Sequence, residues 1–350
     1  MYPWLETSLE NLLDNSGSLA HAYLLAGHTG LGKTVFAEQL AQSMLCKHPT
    51  PFACGQCQSC RLFASSTHPD LHVLQSEKYT LEHPGLLSRY AERHLEHDNS
   101  RKKPSAIISV DQVRDVLPDI NTRPHMATCR IIVLNPAENL NVNAANSLLK
   151  ALEEPPADTY FLLISHDPGR LLPTLRSRCN RIDFRIPDAT VAESWLAAQL
   201  DDAQLAAALL RKARGIPLRA LSLAQGGVED SERRVSALLS GLAEDSIDPV
   251  TAAADIMKDK SFELRGVLVS IQRLMAELIK ANAGLAVEKT RLHEIGNRLH
   301  SRELFRYLDK VSQSVRQVDT PLDEGLLLED ILSCWQELFF RVNHEPASKR

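Results

Sequence analysis

A glycine-bracketed lysine, four clustered cysteines and an apolar strand ending in Asn-Pro are the parts of this chain whose types and spacing bear on chemistry. The loop Gly27-His28-Thr29-Gly30-Leu31-Gly32-Lys33-Thr34 fits the phosphate-cradling pattern G-x4-G-K-[ST]. Its glycines let backbone amides turn toward phosphate, and the helix start that follows adds positive potential. In such a loop Lys33 pairs with the terminal phosphates and the Thr34 hydroxyl ligates magnesium, so the chemistry is binding of ATP with Mg2+. The plain alternative is a glycine-rich turn. Context favours the phosphate site, because Ala22–Ala26 reads as a strand leading in and Val35–Leu45 as a helix leading out.

Cys46-x7-Cys54-x2-Cys57-x2-Cys60 places four soft ligands within fifteen residues. Tetrahedral Zn2+ thiolate is the natural outcome, and four sulfurs leave no open position for water, so the metal is structural. Free or redox-active thiols and an iron–sulfur centre are the alternatives. Pro51 and Gly55 permit the tight turns, while Cys129, Cys179 and Cys334 stand alone. Clustered thiols without a secretory leader favour metal over disulfides.

The third part has lost something. In an active P-loop ATPase an apolar strand ends in an Asp that supports the magnesium shell, then a Glu that polarises water. Here Ile131-Ile-Val-Leu134 runs into Asn135 and Pro136. An amide carries no charge and proline no base, so turnover is expected to be very slow. Glu138, two residues on, reaches the site only by a register shift and is expected to cap or face solvent.

These parts need a scaffold, and the first half of the chain supplies its pattern. Apolar runs at Ala22–Ala26, Leu71–Leu74, Ile107–Val110, Arg130–Leu134, Tyr160–Ser165 and Arg181–Arg185 alternate with helical stretches. That is the signature of a mostly parallel sheet with helices on both faces, an α/β fold. Asp111 is expected to cap a helix to Ile120, and Asn143–Glu154 forms another, stopped by Pro155 and Pro156. Residues 76–104 lack a clean period and read as an inserted helix or a loop. After Pro187 strand signals vanish. Helices are expected at Asp188–Leu200, Gln204–Arg214 and Leu218–Gln225, with a hinge at Gly226-Gly227. Beyond, Phe262, Val267, Leu268, Ile271, Leu274, Met275 and Leu278 recur at helical spacing, as do Leu304, Phe305, Leu308 and Val311, so the last third is all-α. The expected domains are 1–187 with a metal insert at 46–60, then 188–227, then 228–345. With 350 residues, 44% of them hydrophobic, the chain can bury a sizeable core. A net charge of −5 gives no general cationic surface, so any nucleic-acid contact is local or made by partners. The N-terminus lacks a basic region followed by an apolar run, and a cytoplasmic location is expected.

The phosphate loop, the four-cysteine insert after its helix, Asn143-Ala-Ala-Asn146-Ser-Leu-Leu-Lys150-Ala-Leu-Glu153-Glu154-Pro-Pro156 and Ser177-Arg178-Cys179 together resemble the bacterial clamp-loader family of AAA+ proteins. The likeness is to the delta-prime branch of DNA polymerase III, over roughly residues 20–225. It implies an AAA+ module, a small helical lid domain and a C-terminal helical collar. It also implies a hetero-pentameric ring with gamma/tau-like motor and delta-like subunits, which places a sliding clamp on primed DNA. By the same resemblance Arg178 is an arginine finger acting in trans on a neighbour's ATP, with Arg176 the nearest competitor. Ser165 resembles the polar position that senses nucleotide, and Arg219 the lid arginine that meets phosphate. Some delta-prime members have a broken phosphate loop, whereas this one is intact. The expected function is a non-hydrolysing scaffold of the loader. The competing readings are an active AAA+ motor of such a machine and a zinc-containing nucleotide kinase.

Overall fold

Five short strands, four of them largely apolar, pair as one parallel sheet in the computed structural model, which describes residues 1–14, 19–95, 104–120, 122–224, 227–259, 264–285, 290–318 and 323–344. They are β1 (Ala22–Ala26), β2 (Leu71–Leu74), β3 (Arg130–Leu134), β4 (Thr159–Ser165) and β5 (Asn180–Asp183), in the order β2-β3-β4-β1-β5. Every pairing is parallel, with Ala26 level with Ser165 and Asp183, and Leu134 level with Leu163. All five carboxyl ends therefore lie along one edge.

Strands β1 to β4 are buried on both faces, as their largely apolar runs require, whereas the edge strand β5 is mostly exposed. On one face Tyr23, Leu25, Ile131, Val133, Leu162 and Ile164 pack with α1 (Pro3–Asp14), α2 (Lys33–Leu45) and α3 (Gln58–Ala64). The same face takes up Leu87 and Tyr90, from the stretch that has no clean period in the sequence. There the chain forms α4 (Glu77–Glu82), α5 (Leu86–Ala91) and a 3-10 turn, Glu92–His94, while residues 96–103 lie outside the described set. On the other face Leu24, Ile132, Leu134, Phe161 and Leu163 pack with α6 (Val110–Ile120), α7 (Val142–Glu153) and α8 (Pro173–Arg176).

One expected strand does not form. Of Ile107–Val110 only Ile108 makes a bridge, to Leu140, and Val110 already opens α6. Ser109 and Gln112 explain this: the Ser109 amide donates to Gln112 Oε1 at 2.8 Å, and the Gln112 amide donates to Ser109 Oγ at 3.2 Å. That reciprocal capping box starts the helix, so Ser109, not Asp111, is the cap. Asn141 likewise caps α7, accepting from the Ala144 amide at 2.7 Å.

Helices α9 (Ala189–Leu200), α10 (Ala203–Lys212) and α11 (Pro217–Ala224) complete the first compact unit, Met1–Ala224. The second unit, Gln225–Arg350, is all helical among its described residues: α12 (Gly227–Ala243), α13 (Pro249–Lys258), α14 (Leu264–Asn282), α15 (Arg291–Gly296), α16 (Ser301–Gln317) and α17 (Glu324–His344). The expected hinge is half answered, since Gly227 belongs to α12 and Gly226, like Phe262, lies outside the described residues. Trp335 anchors this unit, fully buried with its indole N–H donating to Leu239 O at 2.8 Å. No helix among the described residues is long and apolar enough to cross a membrane.

A buried charge pair fixes the long connection into β3. Arg130 and Asp70 are both wholly buried and 3.6 Å apart. The Asp70 carboxylate accepts from the amides of His125, Met126 and Ala127, and Arg130 donates to the carbonyls of Asp119, Thr122 and Arg123. Against the effect of burial, those three amides hold the Asp70 carboxyl below its usual range. Removing one partner strands the other, so Arg130→Met is expected to cost about 3–5 kcal/mol in urea denaturation. Because the folded pKa is depressed, the contribution is present above about pH 4 and is lost as pH falls below it. Asp70→Asn removes the titrating carboxyl itself, and its acid titration is expected to show a shallower stability loss than the parent.

Candidate functional site

The phosphate loop leaves β1 at the carboxyl edge of the sheet, and its three glycines adopt positive φ of 152°, 88° and 90° at Gly27, Gly30 and Gly32. Space as well as conformation demands them. A Cβ at Gly27 would lie 2.6 Å from Phe184 O, at Gly30 2.8 Å from Ile216 Cγ2, and at Gly32 2.7 Å from the Tyr2 ring. The loop is thus gripped from outside by α1 and by the start of α11, where the Leu218 amide donates to Gly30 O at 3.4 Å. Tyr2 and Trp4 stack at 4.9 Å, Trp195 of α9 meets both edge-on, and the Trp4 indole N–H donates to Leu31 O at 3.1 Å. No local spacing in the sequence announces this aromatic cluster, because its contacts join residues far apart in the chain. Beside it lies a cavity of about 400 Å³ lined by Trp4, Leu5, Phe184, Ile186 and Val191, with Asp183 and Arg185 at hand.

Lys33 is 2% exposed, and its ammonium donates to Gly27 O at 2.6 Å and His28 O at 2.8 Å. Burial pushes the ammonium down to about 8, with Glu138 partly opposing. Thr34 is half-buried at the next position, and Arg219 lies against Gly30 through its backbone. The sheet brings Ser165 level with Ala26, one residue before the loop. Asn135 follows β3 at the same edge, bound through its amide to Leu74 O at 3.0 Å. Glu138 does cap, as the sequence suggests: its Oε1 accepts from the amides of His166 and Asp167 at 2.9 and 3.2 Å. Burial, then Lys33 and His83, drive the His166 imidazole down to about 3, so it is neutral at pH 7. Tyr79, which sequence reasoning missed because its segment has no period, places its hydroxyl 3.5 Å from His166 Nε2 and beside Asn135.

Four buried polar atoms at this edge have no partner: Asn135 Oδ1, Glu138 Oε2, Ser165 Oγ and His166 Nδ1. Unsatisfied buried groups are costly, and a polar ligand or ordered water at this edge would satisfy them. With the glycine cradle and Lys33, the residues present fit a nucleotide phosphate and its metal.

The cysteines form a second site. Cys46, Cys54, Cys57 and Cys60 bring their sulfurs within 4.8 Å of one another, Cys46 and Cys57 at 3.9 Å. A zinc ion with Zn–S bonds of about 2.3 Å needs sulfurs ~3.8 Å apart, so the cluster could hold zinc. Backbone amides already point at the sulfurs: His48 and Cys54 donate to Cys46, Cys57 to Cys54, and Cys60 to Cys57, at 3.3–3.4 Å. The knuckle is tied to α2 by Ser59, whose hydroxyl donates to Leu45 O at 2.6 Å.

Arg178 is not at the phosphate loop. It precedes β5, at the amino edge of the sheet, where its guanidinium is paired with Glu153 and donates to Thr174 O at 2.8 Å. Arg176 instead donates to Pro168 O at 3.3 Å.

A family model described as "DNA polymerase III, delta subunit" matches residues 5–188. The DNA polymerase III subunit delta' of Pseudomonas aeruginosa is 33% identical, over 97% of this chain and 98% of its own length. That of Escherichia coli is 34% identical, over 64% of this chain and 61% of its own. Among solved structures, a gamma subunit-related protein from Thermotoga maritima aligns over 96% of this chain and 99% of its own, at 19% identity and a TM-score of 0.47.

The grip on the loop is testable apart from any ligand. Gly32→Ala adds a Cβ against Tyr2 at a φ that disfavours side chains, and is expected to cost on the order of 1–3 kcal/mol. Denaturant titration followed by tryptophan emission reads it, since Trp4 and Trp195 report the contact.

Proposed function

This chain belongs to the delta-prime family of bacterial DNA polymerase III clamp-loader subunits, and from that premise we propose that it is a non-hydrolysing scaffold of the loader's ring. In DNA replication such a ring places the sliding clamp on primed DNA. The observation that carries the reading is the end of β3, where Asn135 and Pro136 stand in the two places a turning-over site gives to Asp and Glu. The loop itself is intact. ATP with magnesium is therefore held but not efficiently cleaved, by the amides around Gly27, Gly30 and Gly32, by Lys33 and by Thr34, with Ser165 and Arg219 facing the terminal phosphate. Bound magnesium supplies charge neutralisation on the phosphates. The cavity lined by Trp4 and Phe184 takes the base.

Arg178 acts in trans on ATP held by a neighbouring gamma/tau-like motor subunit. Two features support this. The parallel sheet sets Arg178 at the opposite edge from its own phosphate loop, so it cannot serve that loop. Its partner Glu153 is 48% exposed, and an ion pair so open to water is worth little, about 0–1 kcal/mol. A polyanionic phosphate can therefore take the guanidinium away. Helices α9–α11 are the lid, the helices from α12 onward are the collar that meets the other subunits, delta-like ones included, and the four cysteines hold a structural zinc.

Arg178→Ala is expected to leave the chain folded and to lower turnover at the adjoining motor site on the order of 10³-fold in a reconstituted ring with primed DNA and clamp. Arg178→Lys keeps charge but not the two-pronged donor and restores little of it. A ring rate unchanged by Arg178→Ala, or lowered instead by Arg176→Ala, removes the finger assignment. Elemental analysis is expected to find about one zinc per chain, and stripping it to loosen the insert, read as faster proteolysis between α2 and α3.

A further inference from the structure

We propose that Glu138 supplies the carboxylate that the end of β3 has lost, its free oxygen facing the magnesium of a nucleotide held in the phosphate loop. The proposal rests on reading that loop as a nucleotide site. Glu138 sits in the 3-10 turn Ala137–Asn139, immediately after Pro136, so it leaves β3 at the edge where Lys33 and Ser165 lie. Its two oxygens are used differently. Oε1 is spent on the amides of His166 and Asp167, which fix the carboxylate over the end of β4. Oε2 is buried and has no partner. A carboxylate held this firmly with one oxygen unsatisfied is preorganised for something that accepts its lone pairs.

The surroundings say what that something is. Lys33 is a cation that acts on Glu138, and two of its three donors are engaged by Gly27 O and His28 O. His166 stays neutral at pH 7, and its Nδ1 is likewise unpartnered, as are Asn135 Oδ1 and Ser165 Oγ. Three of these four atoms are oxygens, and a hard divalent cation with its waters takes oxygen ligands. Phosphate alone would meet Glu138 as a like charge. Only with the cation between them do the carboxylate and the phosphates attract, so Glu138 should oppose metal-free nucleotide and favour the metal complex.

That opposition separates the proposal from a structural role, in which Glu138 only balances the charge of Lys33. The test titrates a fluorescent ATP analogue into the full chain, in buffer freed of divalent ions by resin rather than by a chelator, and again with magnesium. Glu138→Gln keeps an Oε1 acceptor for the two amides and so keeps the cap. In the parent chain magnesium is expected to tighten binding. In Glu138→Gln the enhancement is expected to fall by about 10- to 100-fold, the usual effect of losing a supporting carboxylate at a metal, while metal-free binding is unchanged or tighter. Adding Asn135→Asp to Glu138→Gln returns a carboxylate to the strand end and is expected to restore the enhancement. Equal weakening of Glu138→Gln with and without magnesium overturns the proposal, as does a parent chain that magnesium does not help. If Lys33→Ala abolishes binding in that case, the nucleotide site stands and only the role of Glu138 falls. A parent chain that takes no nucleotide under either condition removes both.

Discussion

All-parallel pairing of five strands is the constraint from which the rest follows. It sends every carboxyl end to one edge and every amino end to the other. The phosphate loop, Asn135, Glu138 and Ser165 are neighbours because they follow β1, β3 and β4 out of the same edge. Arg178 is far from them because it enters β5 from the opposite side. A single sheet thus presents the glycine loop with Lys33 on one side and the Arg178 guanidinium on the other. Ligands in such sheets gather outside the carboxyl ends of the strands for the same topological reason.

At the carboxyl edge, the electrostatics are set by one buried ammonium and one pinned carboxylate. The ammonium of Lys33 is buried, its charge weakened by lost water and compensated mainly by two loop carbonyls and Glu138. The usual acidic pair is absent, and the remaining carboxylate is committed through one oxygen to the amides after β4. Such a group can attract a cation, but it is not free to swing onto a water. On the function proposed above, binding without turnover would follow from a carboxylate that is present and pinned.

Much of this was legible in the chain before any coordinates. The loop, the cysteine knuckle and the altered strand end are local patterns, and local patterns survive as spacing: Gly27 to Thr34 do form a turn between strand and helix, and the sulfurs of Cys46 to Cys60 do come together. Strand positions held for the same reason, since β1 to β4 are unbroken apolar runs. What escaped was set by contacts distant in sequence or by competing local bonds. Ile107–Val110 has the composition of a strand, but the exchange between Ser109 and Gln112 takes the chain into a helix after one bridge. Residues 76–95 show no period because two short helices bury just Leu87, Tyr90 and Ala91 fully, with Leu86 partly covered, against the sheet. Glu138 reads as a cap, and it is one; nothing in its spacing betrays that its second oxygen has no partner. The buried Arg130–Asp70 pair is invisible because its partners lie 60 residues apart and most of its bonds go to backbone.

The tryptophans give the molecule an optical property. Of three in the chain, two, Trp4 and Trp195, share one ring cluster that touches the phosphate loop through Leu31 O and Tyr2. The third, Trp335, is sealed in the helical second unit with its N–H satisfied by Leu239. The protein therefore carries its own paired chromophores: one set whose emission reports the contact of α1 and α9 with the loop, and one shielded emitter that serves as an internal reference in the same spectrum.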